Sequence, residues 1–212
     1  MGGDLYEFIE LANGRWGIAL GDFSGHGLEA AMQMNFIKGN LLATAMAHAD
    51  PAIVLGDIHQ DFTVCRGSKQ HFVTMSYGIL DPHLRVFKYA RAGDTRCLWR
   101  RRAELIDDKG GSFPVGWASR ELFESRLVTR SIELEAGETL FLYTDGIPDA
   151  RNAANESFDD VRLRETIGET DGLDAGAALD AVFSRVWQFI GEGRRPHDDM
   201  TMVVVRVDEP IS

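Results

Sequence analysis

Four short acidic turns, spread from one end of the chain to the other, constrain what it can fold into. They read Gly2-Gly3-Asp4, Gly21-Asp22-Phe23-Ser24-Gly25-His26-Gly27, Thr144-Asp145-Gly146 and His197-Asp198-Asp199. Three of the four touch a run of apolar or β-branched residues, which sets each carboxylate at the end of a predicted strand, beside glycine or another small residue. Carboxylates gathered at strand ends make an oxygen-rich site for hard divalent cations. Such a site suits metal-assisted hydrolysis by water. The turns on their own point to a metal-dependent hydrolase.

Around them the pattern alternates between sheet and helix. Residues 5–11 and 15–22 form two predicted strands about the turn Ala12-Asn13-Gly14-Arg15, a hairpin signal. Beyond the glycine-rich turn, Leu28, Ala31, Met32, Phe36, Leu41, Leu42 and Ala45 recur near helical spacing, which predicts one long buried helix over 28–48. A second helix is expected from Pro51 to Cys65, with Ile53, Val54, Ile58 and Phe62 on one face and Pro51 in its first turn. Strands follow at 72–80 and 84–91, joined at Asp81-Pro82-His83, then at 97–101, 126–133 and 139–144. A helical region, clearest over 175–190, precedes a last strand at 200–207. Antiparallel strands with grouped helices indicate an α+β fold rather than a doubly wound one. Runs such as 139–143 and 202–205 are expected to be buried on both faces. No repeat, low-complexity segment or linker interrupts the chain, so residues 1–212 read as a single domain.

Composition narrows the partners. A net charge of −11 with no basic stripe argues against nucleic acid. The densest basic run, Arg100-Arg101-Arg102, reads as a solvated hairpin tip. Cys65 and Cys97 lie far apart, with no second cysteine or histidine at ligand spacing, and read as reduced thiols. No stretch approaches the ~18 apolar residues of a membrane span, and no secretion signal opens the chain. The reading is a cytoplasmic protein.

Each acidic turn has an ordinary reading beside the chemical one. Asp22 is either a metal ligand, with the Phe23 carbonyl as a further donor, or a residue that caps the following helix. Asp145 binds metal or merely starts a turn with Gly146. Asp198 and Asp199, if on a strand, point to opposite faces, so one binds and the other does not. His26 is a candidate general acid or a structural residue. The Gly25-x-Gly27 pair lacks the Gly-Lys-Ser/Thr ending of a nucleotide-binding loop. No Ser-His-Asp or Cys-His arrangement supports a covalent mechanism.

Taken together, the motifs resemble the bacterial metal-dependent Ser/Thr phosphatases of the SpoIIE/RsbU type, within the PPM (phosphatase 2C-like) superfamily. They are residues 2–8 (GGDLYEF), 21–31 (GDFSGHGLEAA), 72–81 (FVTMSYGILD), 113–116 (FPVG), 142–146 (LYTDG) through 150–152, and 198–201 (DDMT), in order over essentially the whole chain. The resemblance implies an αββα sandwich of two antiparallel sheets flanked by helices, with two Mn²⁺ or Mg²⁺ ions at one edge. It implies that Asp22 bridges the ions, that the Phe23 carbonyl and Asp4 serve one of them, and that Asp145 and Asp198 serve the other. Asp199 takes that place if the register shifts by one. Asp22, Asp145 and Asp198 are then the catalytic set. The implied reaction is hydrolysis of phosphoserine or phosphothreonine on a regulatory partner such as an anti-sigma-factor antagonist.

Two departures from the family pattern stand out. Arg91-Ala92-Gly93-Asp94-Thr95 occupies the place of the usual Asn-Ala-Gly-His-Asn. The chain also starts almost at the Gly-Gly-Asp motif, where the family carries a further strand. The resemblance thus predicts an upstream sensor, receiver or coiled-coil module and an unpaired sheet edge favouring a homodimer. The main rival reading is a PPM-fold binding module that sequesters a partner without turnover. A nuclease or small-phosphoester hydrolase is the third, and it would want basic surface.

Overall fold

A computed structural model describes residues 3–25, 27–66, 71–102, 104–108 and 110–208. The chain divides into two compact units, one of residues up to Thr95 with 109–134, the other of residues 96–108 with 135 onward.

The first unit is built on a five-stranded antiparallel sheet. Strands β1 (Asp4–Glu10) and β2 (Trp16–Phe23) form the predicted hairpin, turned by a 3₁₀ segment in which Asn13 and Gly14 both take positive φ, 63° and 69°. Asn and Gly are the residues that tolerate this conformation. Strands β3 (Val73–Asp81), β4 (Val86–Ala92) and β7 (Arg130–Glu133) complete the order β1-β2-β3-β4-β7, with β1 at an edge. Helices α1 (Leu28–Ala47) and α2 (Pro51–Arg66) pack on it, and α3 (Arg120–Arg126) packs on α2. The core joins Ala19, Met75 and Tyr77 of the sheet to Ile37, Leu41, Leu55, Ile58 and Phe62 of the helices.

Two expectations about these helices need correction. The face of α1 that faces the core is Ala30, Met34, Ile37, Leu41 and Ala45, whereas Leu28 and Met32 are 68% and 64% exposed. On α2, Val54, Ile58 and Phe62 are buried as expected, but Ile53 is exposed and His59 takes a core position. Both helices are apolar around much of their circumference, so periodicity alone picks the wrong stripe. The predicted strand at 126–133 shortens to β7, because Ser119 caps α3 by accepting the Leu122 N–H and the helix runs through Arg126.

The buried His59 ties α2 to the Phe113–Gly116 loop. Its Nδ1 accepts the Gly116 N–H at 3.1 Å and its ring stacks on Phe123 with centroids 3.9 Å apart. Burial holds its pKa below the usual histidine value, helped by Arg66 and Arg120 and opposed by Glu124 and a hydrogen bond with the Ala118 backbone. A group whose folded pKa is depressed stabilises fully above the unfolded value of about 6.5, and that contribution is lost as pH falls from there toward the folded pKa. Urea unfolding should therefore show less stability at pH 5.5 than at pH 7.5 from this residue. His59→Gln should remove that component of the slope while lowering stability at pH 7.5. An unchanged slope would refute the assignment.

The second unit carries a four-stranded antiparallel sheet of β5 (Arg96–Arg101), β6 (Glu104–Asp107), β8 (Thr139–Tyr143) and β9 (Met202–Arg206), ordered β6-β5-β8-β9. Helices α4 (Asp159–Gly168) and α5 (Ala175–Ile190) complete it. Residue Asp174 caps α5 by accepting the Ala177 N–H, and Ala178, Val182, Val186 and Ile190 form its buried stripe. Strand β8 is buried at all five positions, as its apolar run predicts, whereas β9 lies at an edge and only Met202 and Val203 are buried.

Arg100 overturns the reading of a solvated basic tip. It is 3% exposed and donates to the Thr170 and Thr139 hydroxyls at 2.9 and 3.1 Å, joining the end of α4 to the sheet. Only Arg101 and Arg102 lie at the exposed end. Glu138 is also buried and accepts from Trp99 Nε1 at 3.0 Å beside Arg101. Cys65 is exposed, Cys97 is buried, and neither forms a disulfide. No described helix is long and apolar enough to cross a membrane.

The fold class is the expected α+β one, with two antiparallel sheets and, among the described residues, five α-helices.

Candidate metal centre

In the first unit the β1–β2 register sets Asp4 directly opposite Asp22. Residues opposite each other in an antiparallel ladder project from the same face, about 4.5–5.5 Å apart at Cβ, and like charges there cost stability. A cation shared by the two would reverse that sign. Both side chains are half-buried.

The segment after Asp22 is held in place from several sides. The Phe23 N–H donates to the Gly3 carbonyl at 3.1 Å, and Ser24 and Phe72 exchange two bonds, backbone to backbone and backbone to hydroxyl, each 2.9 Å. The Phe23 ring is buried against Phe62 and His71, with centroids 6.4 and 5.2 Å away. With its ring locked into the core, the backbone carbonyl of Phe23 is fixed as well.

Gly3 marks where the oxygens converge. A Cβ on Gly3 would stand 3.1 Å from the Phe23 carbonyl oxygen, 3.2 Å from Asp22 Oδ1 and 3.3 Å from the Gly25 carbonyl oxygen. Only glycine leaves this space open. An open cradle lined by a carboxylate and two carbonyls is the donor chemistry of a hard divalent cation, Mg²⁺ or Mn²⁺ rather than zinc. The residues present fit such an ion.

Asp22 does not occupy the cap position of α1. It lies inside β2, and the cap position of α1 belongs to Gly27, which makes no side-chain capping bond. His26 lies outside the described residues.

In the second unit, Asp145 follows the buried end of β8 and is exposed, its carbonyl closing a turn by accepting the Asp149 N–H at 2.9 Å. The Asp198-Asp199 pair sits in a bend ahead of β9 rather than on a strand, so alternation does not sort the two. Instead the Asp199 N–H donates to Asp198 Oδ1 at 2.9 Å, and Asp198 is the more exposed.

The bend is pinned beside the Asp145 turn. The Thr144 N–H donates to the Thr201 carbonyl and the Thr201 N–H donates to the Thr144 hydroxyl, each at 3.1 Å. A Cβ on Gly146 would overlap the Asp199 carbonyl oxygen. Among the described residues, no three His, Cys, Asp or Glu side chains gather into one cluster. The donors stand instead as Asp4 with Asp22 and the carbonyls in one unit, and as Asp145 and the Asp198-Asp199 bend in the other.

Sequence reasoning missed the roles of Gly3, Ser24 and Gly146 as spacers and clamps. Their signal was present, since each lies inside a motif quoted for its aspartate. Asp94, at the position of the family's histidine, is exposed in the turn between β4 and β5.

This architecture is that of the PP2C-type phosphatase domains. The chain shares its fold with the SiaA-PP2C domain of Pseudomonas aeruginosa, at a TM-score of 0.83 and 22% identity over 98% of this chain and 81% of that one. It matches equally well the PP2C phosphatase domain with a fragment of the regulatory domain of SpoIIE from Bacillus subtilis, at a TM-score of 0.82 and 22% identity over 99% of this chain and 60% of that one. The family model for stage II sporulation protein E (SpoIIE) matches residues 12–208, and the chain belongs to that family. In sequence it is 23% identical over 209 residues to stage II sporulation protein E of Bacillus subtilis, covering 97% of this chain and 24% of that protein. It is 24% identical to protein IcfG of Synechocystis sp., covering 96% of this chain and 35% of that protein. The chain thus spans about a quarter to a third of the length of these curated relatives.

Proposed function

We propose that this chain is a metal-dependent protein phosphatase that hydrolyses phosphoserine or phosphothreonine on a regulatory partner, of which an anti-sigma-factor antagonist is an example. Membership of the SpoIIE family supports the phosphatase class. The observation that carries the finer reading is the Asp4–Asp22 cross-strand pair beside the open Gly3 cradle. We further read residues 1–212 as one catalytic domain, acting in a longer cytoplasmic protein with an upstream sensor or receiver module and dimerising through it or through the β1 edge.

In this reading Asp4, Asp22 and the Phe23 carbonyl would hold one Mn²⁺ or Mg²⁺ ion, and Asp145 and Asp198 would hold a second. Asp199 carries the Asp198 side chain through its N–H rather than binding directly. Bound divalent cations supply positive charge for the phosphoryl oxygens and make water acidic enough to attack at neutral pH. The protein's own part is positional. The Ser24–Phe72 and Thr144–Thr201 bonds keep the two acidic turns from moving when anionic substrate arrives.

The test is hydrolysis of p-nitrophenyl phosphate and of a phosphoserine protein with and without Mn²⁺, beside Asp145→Asn. Turnover that requires the ion and is lost in the variant is expected. Intact, folded protein that binds Mn²⁺ yet releases no phosphate from either substrate would favour the sequestering module instead.

A further inference from the structure

The segment Glu192-Gly193-Arg194-Arg195-Pro196-His197, between α5 and the Asp198-Asp199 bend, holds the two arginines that stand apart from all others in their unit. The unit contains eleven arginines. Nine have a side-chain partner: Arg96, Arg100, Arg101, Arg102, Arg162, Arg164, Arg185 and Arg206 reach a carboxylate, and Arg151 reaches the Asn155 carbonyl. Arg194 and Arg195 are exposed, and their guanidinium groups contact no carboxylate or carbonyl among the described residues.

That isolation is not for want of acids. Glu192, Asp198 and Asp199 lie within five residues of them, and the chain carries 33 acidic residues against 22 basic ones. The backbone accounts for it. Gly191 and Gly193 take positive φ, 92° and 74°, and turn the segment out of α5. The Arg194 stem lies over Gly191, its Cδ 3.8 Å from where a Cβ would be, while Pro196 stiffens the approach to the bend. The bend is in turn pinned to the Asp145 turn by the Thr144–Thr201 bonds. Two uncommitted guanidiniums are thereby held next to the acidic turn, on a protein whose net charge of −11 disfavours acidic partners as a whole.

We propose that Arg194 and Arg195 are a docking element for acidic side chains flanking the phosphorylated residue of a protein substrate. The inference rests on the phosphoprotein phosphatase reading above. Guanidinium pairs with carboxylates through two parallel N–H···O bonds, which supplies geometric selection as well as charge. An acidic segment captured here is steered toward the Asp145 and Asp198 turns, and local cationic charge matters most for the encounter.

The test measures binding of two labelled peptides by fluorescence anisotropy in the presence of Mn²⁺. Each carries a phosphonate analogue of phosphoserine, which cannot be hydrolysed; one has two glutamates on either side of it and the other has alanines. The wild-type chain should prefer the glutamate-flanked peptide by about tenfold, the sum of two modest exposed ion pairs. Arg194→Ala/Arg195→Ala should erase the preference, while Lys88→Ala/Arg126→Ala, which removes the same charge from two exposed sites in the other unit, should retain it. No preference in the wild type overturns the inference. So does equal loss in both double variants, which would reduce the effect to net charge, and so does equal weakening of both peptides, which would move the contact to the phosphoryl group. A chain that keeps the preference but never releases phosphate from a phosphoester would instead overturn the enzyme reading and leave the docking element standing.

Discussion

Asp22→Asn should lower metal-dependent hydrolysis by about 100-fold or more, and Mn²⁺ affinity should fall with it. The substitution keeps the size of the side chain and its place in β2 but removes the charge that faces Asp4. In the metal-free chain that removal relieves a cross-strand repulsion, so thermal stability should hold or rise, by up to about 1 kcal/mol. The two signs together make the test sharp. An aspartate that served only the fold would lose stability on substitution and leave metal affinity alone, and the Gly27 cap position already speaks against that role. Titration calorimetry with Mn²⁺, a thermal melt in chelator and a phosphopeptide assay would decide it. Retained Mn²⁺-dependent turnover in the variant would sink the ligand assignment.

Much of the fold was legible in the sequence because its turns are written in residues with few alternatives. The Asn13-Gly14 hairpin, the β2–turn–α1 join and the α5 helix follow from local chemistry that tertiary context does not override. The misreadings have a common cause. Arg100 looks like its exposed neighbours Arg101 and Arg102, and distant partners, the Thr139 and Thr170 hydroxyls 39 and 70 residues away together with Asp171, make its burial tolerable. Leu28 and Met32 read as core because α1 is apolar on more than one face. The strand β6 and helix α3, four and seven residues long, offer too few repeats to show a period. Strand alternation, considered for the acidic pair at 198–199, does not apply in a bend. In each case the missing information was a long-range partner or a backbone conformation, not a residue type.

Enzyme and sequestering module make the same demands on fold and differ in what the acidic turns must do. A module that only binds needs no geometric link between the Asp145 turn and the Asp198 bend. The contact of Gly146 with the Asp199 backbone is such a link, and it gives the reason for the second large effect. Gly146→Ala should force Asp199 and its neighbours away, because the added methyl falls on a backbone carbonyl that cannot rotate aside. Overpacking of this kind costs about 2 kcal/mol, which in a chain of this size lowers the melting temperature by several degrees. Displacement of the bend by even ~1 Å would reduce turnover on the order of 100-fold. Gly168→Ala is the matched control. The same methyl at the last residue of α4 meets nothing within 4 Å, and it should stabilise slightly, since alanine is the better helix former. A Gly146→Ala chain that melts early but keeps full metal-dependent turnover would mean that Asp198 and Asp199 serve the fold alone, and the ligand set would shrink to the first unit's acids and Asp145. Loss of activity beyond what the lost stability explains would tie the bend to the chemistry.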